Sequence, residues 1–182
     1  IFPDPPRVIC RKSKNLRDIL TSSRIFATTF SGCHLCNKPR CKVCNHMTTT
    51  TLVKSIASNF HLQIKGDFDC DTSCIVYMLG FSVCELQYIG HTETLFRLRF
   101  NNLKSHATSL PNLPLSKPAN IPGHSFNKLT ATILESGFPS HYNRELCKSF
   151  LIHKFNVIVS GINENPDKVT FHWAHYQVPV SS

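Results

Sequence analysis

The sequence predicts an α+β fold: a small three-stranded sheet of antiparallel type flanked by helices, preceded by a helix and a short Cys-rich knuckle. Three observations lead there. The apolar patterns run as two strands and a helix, then a proline-rich loop, then a third strand and a second core helix, an order that packs helices onto a small sheet. Four of the nine Cys fall within residues 33–44. Finally, 182 residues at 41% apolar composition can bury a real core, which excludes a disordered tail.

The elements follow in order. "SKNLRDILTSSRIF" sets Leu16, Ile19 and Leu20 on one helical face, with Ser13 or Asn15 to cap its start. After the Cys cluster, the Thr run of "TTTTLVKSIASNF" leads into a short helix, and "FHLQI" alternates Phe60, Leu62 and Ile64 as a strand closed by the turn residues of "GDFDCD". Strands are expected at 74–80 and 86–90 with a turn around Ser82. A helix over 93–107 follows, with Thr92 as cap and Leu95, Leu98, Leu103 and Ala107 near one face. "SLPNLPLSKPANIPGHS" holds four prolines and is expected to be loop throughout. "LTATILES" is the third strand, and "HYNRELCKSFLIHKF" is a helix burying Leu146, Phe150, Leu151 and Phe155. "NVIVSGIN" is a last strand or an extended loop. The expected division is 1–66 (linker, short helix and knuckle at 33–46), 67–165 (the sheet-and-helix domain) and 166–182 (a tail).

Lys and Arg number 20 against 11 Asp and Glu, a net charge of +9, and such an excess points to a polyanion, most often nucleic acid. "IFPDPPRVICRKSKN" is too polar and proline-rich for a signal peptide or a membrane span, so neither secretion nor a membrane partner is expected. Beginning at Ile1, the chain reads as a soluble piece of something longer or a processed product. An odd Cys number without a secretory signal favours reduced thiols and a metal over disulfides. Cys33, Cys36, Cys41 and Cys44 form C-x2-C-x4-C-x2-C, and two such turns present thiolates to one tetrahedral ion, which suits zinc. The separation between the turns is short, which leaves His34 or His46 as alternative ligands. Cys70, Cys74, Cys84 and Cys147 lack the spacing and read as small buried hydrophobes.

"IVYML" followed by "QYIG" resembles the paired signature of the GIY-YIG nucleases, with Tyr88, Ile89 and Gly90 matching outright. "KNLRDIL", "RCKVC", "CDTS", "YIGHTETLFRLRFNN", "PGHSFNKLTATILE", "NRELCKSFLIHKF" and "GIN" resemble, in that order, the endonuclease region of Penelope-like retroelements. The resemblance implies a DNA endonuclease that nicks target DNA in the nucleus, working beside a reverse transcriptase domain of the same polyprotein and its template RNA. It implies that Tyr77 is the general base or its hydrogen-bond partner, that Tyr88 positions water or phosphate, and that Arg99 holds the scissile phosphate. Glu145 would bind a magnesium or manganese ion and Asn163 would close the site. Arg97, Arg99 and Lys104 lie along one helix as the expected DNA contacts.

The sequence departs from that family at His and Cys positions. Leu103 stands where a His follows the arginine, with His106 as the nearest substitute. The family's second zinc site would need four ligands, and here Phe81 and Pro118 replace two of them, leaving Cys84 and His124, so that site is expected to be empty. The alternative to a nuclease is therefore a catalytically degenerate nucleic-acid-binding module that keeps a structural zinc knuckle.

Overall fold

The computed structural model describes residues 31–163, so the helix expected near residues 13–26 and the tail at 166–182 lie outside the described residues. The strands are β1 (Gly32–Cys33), β2 (Leu52–Lys54), β3 (His61–Gln63), β4 (Asp67–Phe68), β5 (Ile75–Phe81), β6 (Gln87–Thr92) and β7 (Leu129–Glu135). The helices are α1 (Phe96–Ser109), α2 (Ser116–Ala119) and α3 (His141–Phe155), with single 3-10 turns at Cys44–His46 and Phe126–Lys128. The three-stranded sheet has the order β6-β5-β7, antiparallel throughout, as expected.

Register decides which side chains meet. Tyr77 lies opposite Gly90 and Ile133, and Leu79 lies opposite Tyr88 and Ala131. Side chains alternate across a strand, so Tyr77, Leu79, Tyr88 and Gly90 share one face, while Val76, Met78, Ile89 and His91 share the other. The first face is covered by α1, whose Phe96 ring sits 5.2 Å from that of Tyr77. Phe100 and Phe126 continue this aromatic layer at 5.3 Å. The second face is covered by α3, whose Arg144 reaches His91.

Several local expectations give way to packing. Thr92 belongs to β6 and does not cap α1; Leu95 holds the cap position without a side-chain bond. The buried stripe of α1 is Phe96, Phe100, Leu103 and Ala107, and Leu98 is 49% exposed, because the larger aromatic rings claim the sheet. The segment after the Thr run is not a helix: β2 pairs with β3 as a hairpin, in keeping with its β-branched residues. The proline-rich loop contains α2, where Pro118 is tolerated in a first turn whose N–H groups need no helical partner. Leu146 and Phe150 are only half-buried, and Arg144, Cys147 and Ile152 join Leu151 and Phe155 inside. "NVIVSGIN" is turn and loop, opened by Asn156 in the left-handed conformation that ends α3.

The knuckle is joined to the sheet. β1 pairs in parallel with β4 across the boundary expected at 66/67, and Met47 bridges Ala131 on β7. His46 binds the Leu129 carbonyl at 2.9 Å and packs at a tilt against the Phe100 ring, 4.9 Å between centroids. Cys33, Val43 and Met47 thus belong to the same buried cluster as Tyr77 and Phe155.

Gly90 is required by close approach. A Cβ there would meet the Tyr77 ring and hydroxyl at 2.6 Å and the Tyr88 ring at 2.9 Å. Gly90→Ala is therefore expected to destabilise the chain by about 1–3 kcal/mol, as overpacking does. An unchanged urea midpoint would contradict the Tyr77–Gly90 packing.

Candidate functional site

The described residues gather a group of thiols at one end of α1 and a tyrosine–arginine group on its sheet-facing side. The first begins where β1 leaves its pairing at Cys33. Asn37 and Arg40 take left-handed conformations (φ 53° and 66°), which double the chain back so that Cys41 and Cys44 face Cys36. The Cys36 amide donates to the Cys44 sulfur at 3.3 Å. Cys70 arrives from beyond β4, and the four sulfurs lie within 4.8 Å of one another. Cys36–Cys44, Cys41–Cys70 and Cys44–Cys70 are 3.3, 3.5 and 3.9 Å apart. Four sulfurs at about 2.3 Å from one ion stand about 3.8 Å apart at the corners of a tetrahedron, so Cys36, Cys41, Cys44 and Cys70 could hold a metal ion.

This corrects the ligand set expected from spacing. Cys33 is fully buried in β1, where desolvation pushes its thiol up, and Cys70 takes the fourth place instead of serving as a core hydrophobe. His34 and His46 are not in the group: His34 Nε2 meets Asp67 at 2.6 Å, and His46 binds the Leu129 carbonyl. Burial opposes ionisation of Cys41, but the Cys44 backbone N–H and the neighbouring thiols outweigh it and bring Cys41 down to about 7. Burial and like neighbours push Cys44 up to about 11 and Cys70 higher still. Such a set ionises fully only around a cation, the behaviour expected of ligand thiols.

The loop that delivers Cys70 also starts α1. With no side-chain cap, the Phe96 and Arg97 amides donate to the Thr72 and Cys70 carbonyls, each at 2.9 Å. Asp71 binds Arg97 Nε at 2.7 Å and also Lys38. Arg97, expected to meet DNA, is thus engaged at the join between knuckle and helix.

On the sheet-facing side, Arg99 Nε donates to the Tyr77 hydroxyl at 3.2 Å, and Tyr88 reaches the same guanidinium. Half burial works against the Arg99 charge, and the two tyrosine oxygens outweigh that cost. Desolvation drives the Tyr77 hydroxyl far above its usual range, with Tyr88 adding to it, so Tyr77 remains neutral against Arg99 at physiological pH. The sequence-predicted Tyr77, Tyr88 and Arg99 are therefore brought together.

The other expected site residues lie elsewhere. Glu145 is on α3, against the opposite face, with His141 at 3.6 Å. Asn163 spends both ends of its amide on Ile89, accepting from its N–H and donating to its carbonyl at 2.9 Å each. It fixes the edge strand between Tyr88 and Gly90 and does not point into the site. His106 lies two turns beyond Arg99, about 10 Å along the helix, and Leu103 is buried. Lys104 is exposed, within 3.4 Å of Asn127. Phe81 is buried 6.3 Å from the His124 ring, Pro118 is buried and Cys84 half-buried. No helix among the described residues is long and apolar enough to cross a membrane.

No family model, curated protein or solved structure matches this chain. Sequence reasoning missed Cys70, whose one local signal is the acidic turn "DFDCD" in a chain with an odd thiol beside a Cys cluster. It also missed Arg144, only 3% exposed, which binds Glu93 and His91 and ties α3 to the end of β6.

Metal analysis by mass spectrometry is expected to find about one ion per chain, as for a single four-ligand site. Cys70→Ser should lose it, and Cys33→Ala should retain it. The reverse pattern would restore the spacing-based ligand set.

Proposed function

We propose that the chain is a GIY-YIG-type DNA endonuclease domain that nicks target DNA in the nucleus. The new end would prime a reverse transcriptase of the same polyprotein on its template RNA. The observation that supports the reading is the Arg99–Tyr77 hydrogen bond above Gly90, with Tyr88 alongside. Phosphodiester hydrolysis builds negative charge on the phosphate and on the leaving oxygen. Arg99 spends its Nε on Tyr77, and its remaining N–H groups suit phosphate oxygens. Tyr77, fully buried, accepts from Arg99 and so orients the guanidinium; as a base it would have to ionise against its burial. Tyr88, half-buried on the outer strand β6, is the residue for positioning water or phosphate. Asn163 is a positioning residue that holds this edge.

Zinc is the ion we assign to the four thiols, since an all-sulfur tetrahedral set favours it over hard cations, and its role there is structural. Glu145 offers the oxygen chemistry that magnesium or manganese prefers. Such an ion would neutralise phosphate charge.

A second reading is favoured by one specific observation: Glu145 sits on α3, across the sheet from Arg99. In that reading the chain binds nucleic acid through phosphate contacts and does not cut it.

The test is nicking of supercoiled plasmid with magnesium or manganese. Arg99→Ala is expected to lower the rate by about a hundredfold to a thousandfold. Glu145→Gln should abolish nicking while leaving DNA binding equal or slightly tighter. Parental nicking by either variant would remove that residue from the site. A chain that never nicks yet binds DNA with steep salt dependence is the second reading.

A further inference from the structure

The sequence from residue 31 to 66 contains no acidic residue, and within it Lys38, Arg40 and Lys42 crowd the knuckle. The turn that wraps the thiols opens a cleft of about 570 Å³ lined by Leu35, Asn37, Pro39, Arg40, Lys42 and Asn45, among others. Lys38 is turned to Asp71. Arg40 and Lys42 are exposed, and among the described residues neither has an acidic partner. Leu35 is 41% exposed in the same wall, an apolar side chain left uncovered beside two cations.

This combination of cations, amides and an apolar wall has a chemical meaning. The cations suit phosphates, the planar Arg40 guanidinium and Leu35 suit the face of a base, and the Asn37 and Asn45 amides suit its edge. The volume is that of a site for one drug-sized ligand, which admits a single unstacked nucleotide and leaves a duplex outside. We infer that the knuckle cleft binds single-stranded nucleic acid, holding one unstacked nucleotide with its phosphates on Arg40 and Lys42. The inference rests on the nucleic-acid half of the proposed function and is independent of cutting. The cleft also adjoins the cations of α1: Lys38 on its rim shares Asp71 with Arg97, and Lys104 lies two turns along the same stripe. A strand leaving the cleft would run onto that stripe.

The test is binding of a fluorescein-labelled mixed-sequence decanucleotide, and of a duplex of the same sequence, to the metal-loaded chain, read by anisotropy across a salt series. The parent is expected to bind the single strand more tightly than the duplex. Arg40→Gly with Lys42→Gln should weaken single-strand binding about tenfold and reduce the salt slope by about 1.4, the loss expected for two phosphate contacts. Glycine suits the left-handed backbone at position 40, so the turn is kept. Lys54→Gln with Lys65→Gln removes the same charge away from the cleft and should leave binding within about twofold, as a cleft-specific contact requires. On the parent, the decanucleotide should protect Lys42 from acetylation more than Lys54. Equal loss in both double variants, no preference for the single strand, or an unprotected Lys42 would overturn the cleft. A chain that shows all the expected binding and never nicks would uphold the cleft and sink the nuclease reading alone.

Discussion

Four residues, Asp69 to Thr72, connect the thiol group to the helix that carries Arg99. Within the turn, the Asp71 amide binds the Asp69 carboxylate at 2.8 Å and the Asp69 amide binds Thr72 Oγ1 at 3.0 Å. The Cys70 sulfur faces the other three thiols, while the carbonyls of Cys70 and Thr72 receive the first amides of α1. A helix start without a side-chain cap is ordinarily a weak point, since each missing cap costs about 1 kcal/mol. Here the capping groups belong to a loop that a metal would fix. Structural zinc contributes on the order of 10 kcal/mol in small zinc domains, so an ion held by these thiols would outweigh every other local term at this join.

Charge works in the same direction. Four thiolates around a dication carry a net charge of about −2, and the N-terminal end of a helix carries the partial positive charge that offsets it. Lys38 and Arg97, tied through Asp71, add full charges at the same place. Part of the basic excess of the chain therefore has a structural use at the knuckle. Arg99 is left to the tyrosines on the other side of α1.

The three-stranded sheet and its two long helices were legible because their patterns are clean: a short apolar run in "IVYML", alternation through "LTATI", and a 3.6-residue stripe in "HYNRELCKSFLIHKF". The Tyr77–Tyr88–Arg99 group came from the resemblance and not from periodicity; strand pairing sets the two tyrosines on one face and the phase of α1 turns Arg99 toward them. The ligand set did not follow, because local C-x2-C spacing cannot show that strand pairing buries Cys33 and carries Cys70 across from beyond β4. The hydrogen bonds of Asn163 were hidden for a similar reason: a polar residue after a turn can equally serve the backbone of a distant edge strand. Thr92 and Leu98 failed because tertiary partners, the 69–72 loop and the aromatic layer, override local capping and hydrophobic preference.

The dependence of α1 on the thiol centre is tested most directly by amide hydrogen exchange at Phe96 and Arg97, measured with the metal bound and after chelation. If the loop caps the helix only when the ion holds Cys70, both amides lose protection on chelation while Ile133 at the centre of the sheet keeps its own. Equal protection of Phe96 and Arg97 in the two states would show that the helix start stands without the metal, and the link between the two ends of α1 would fall.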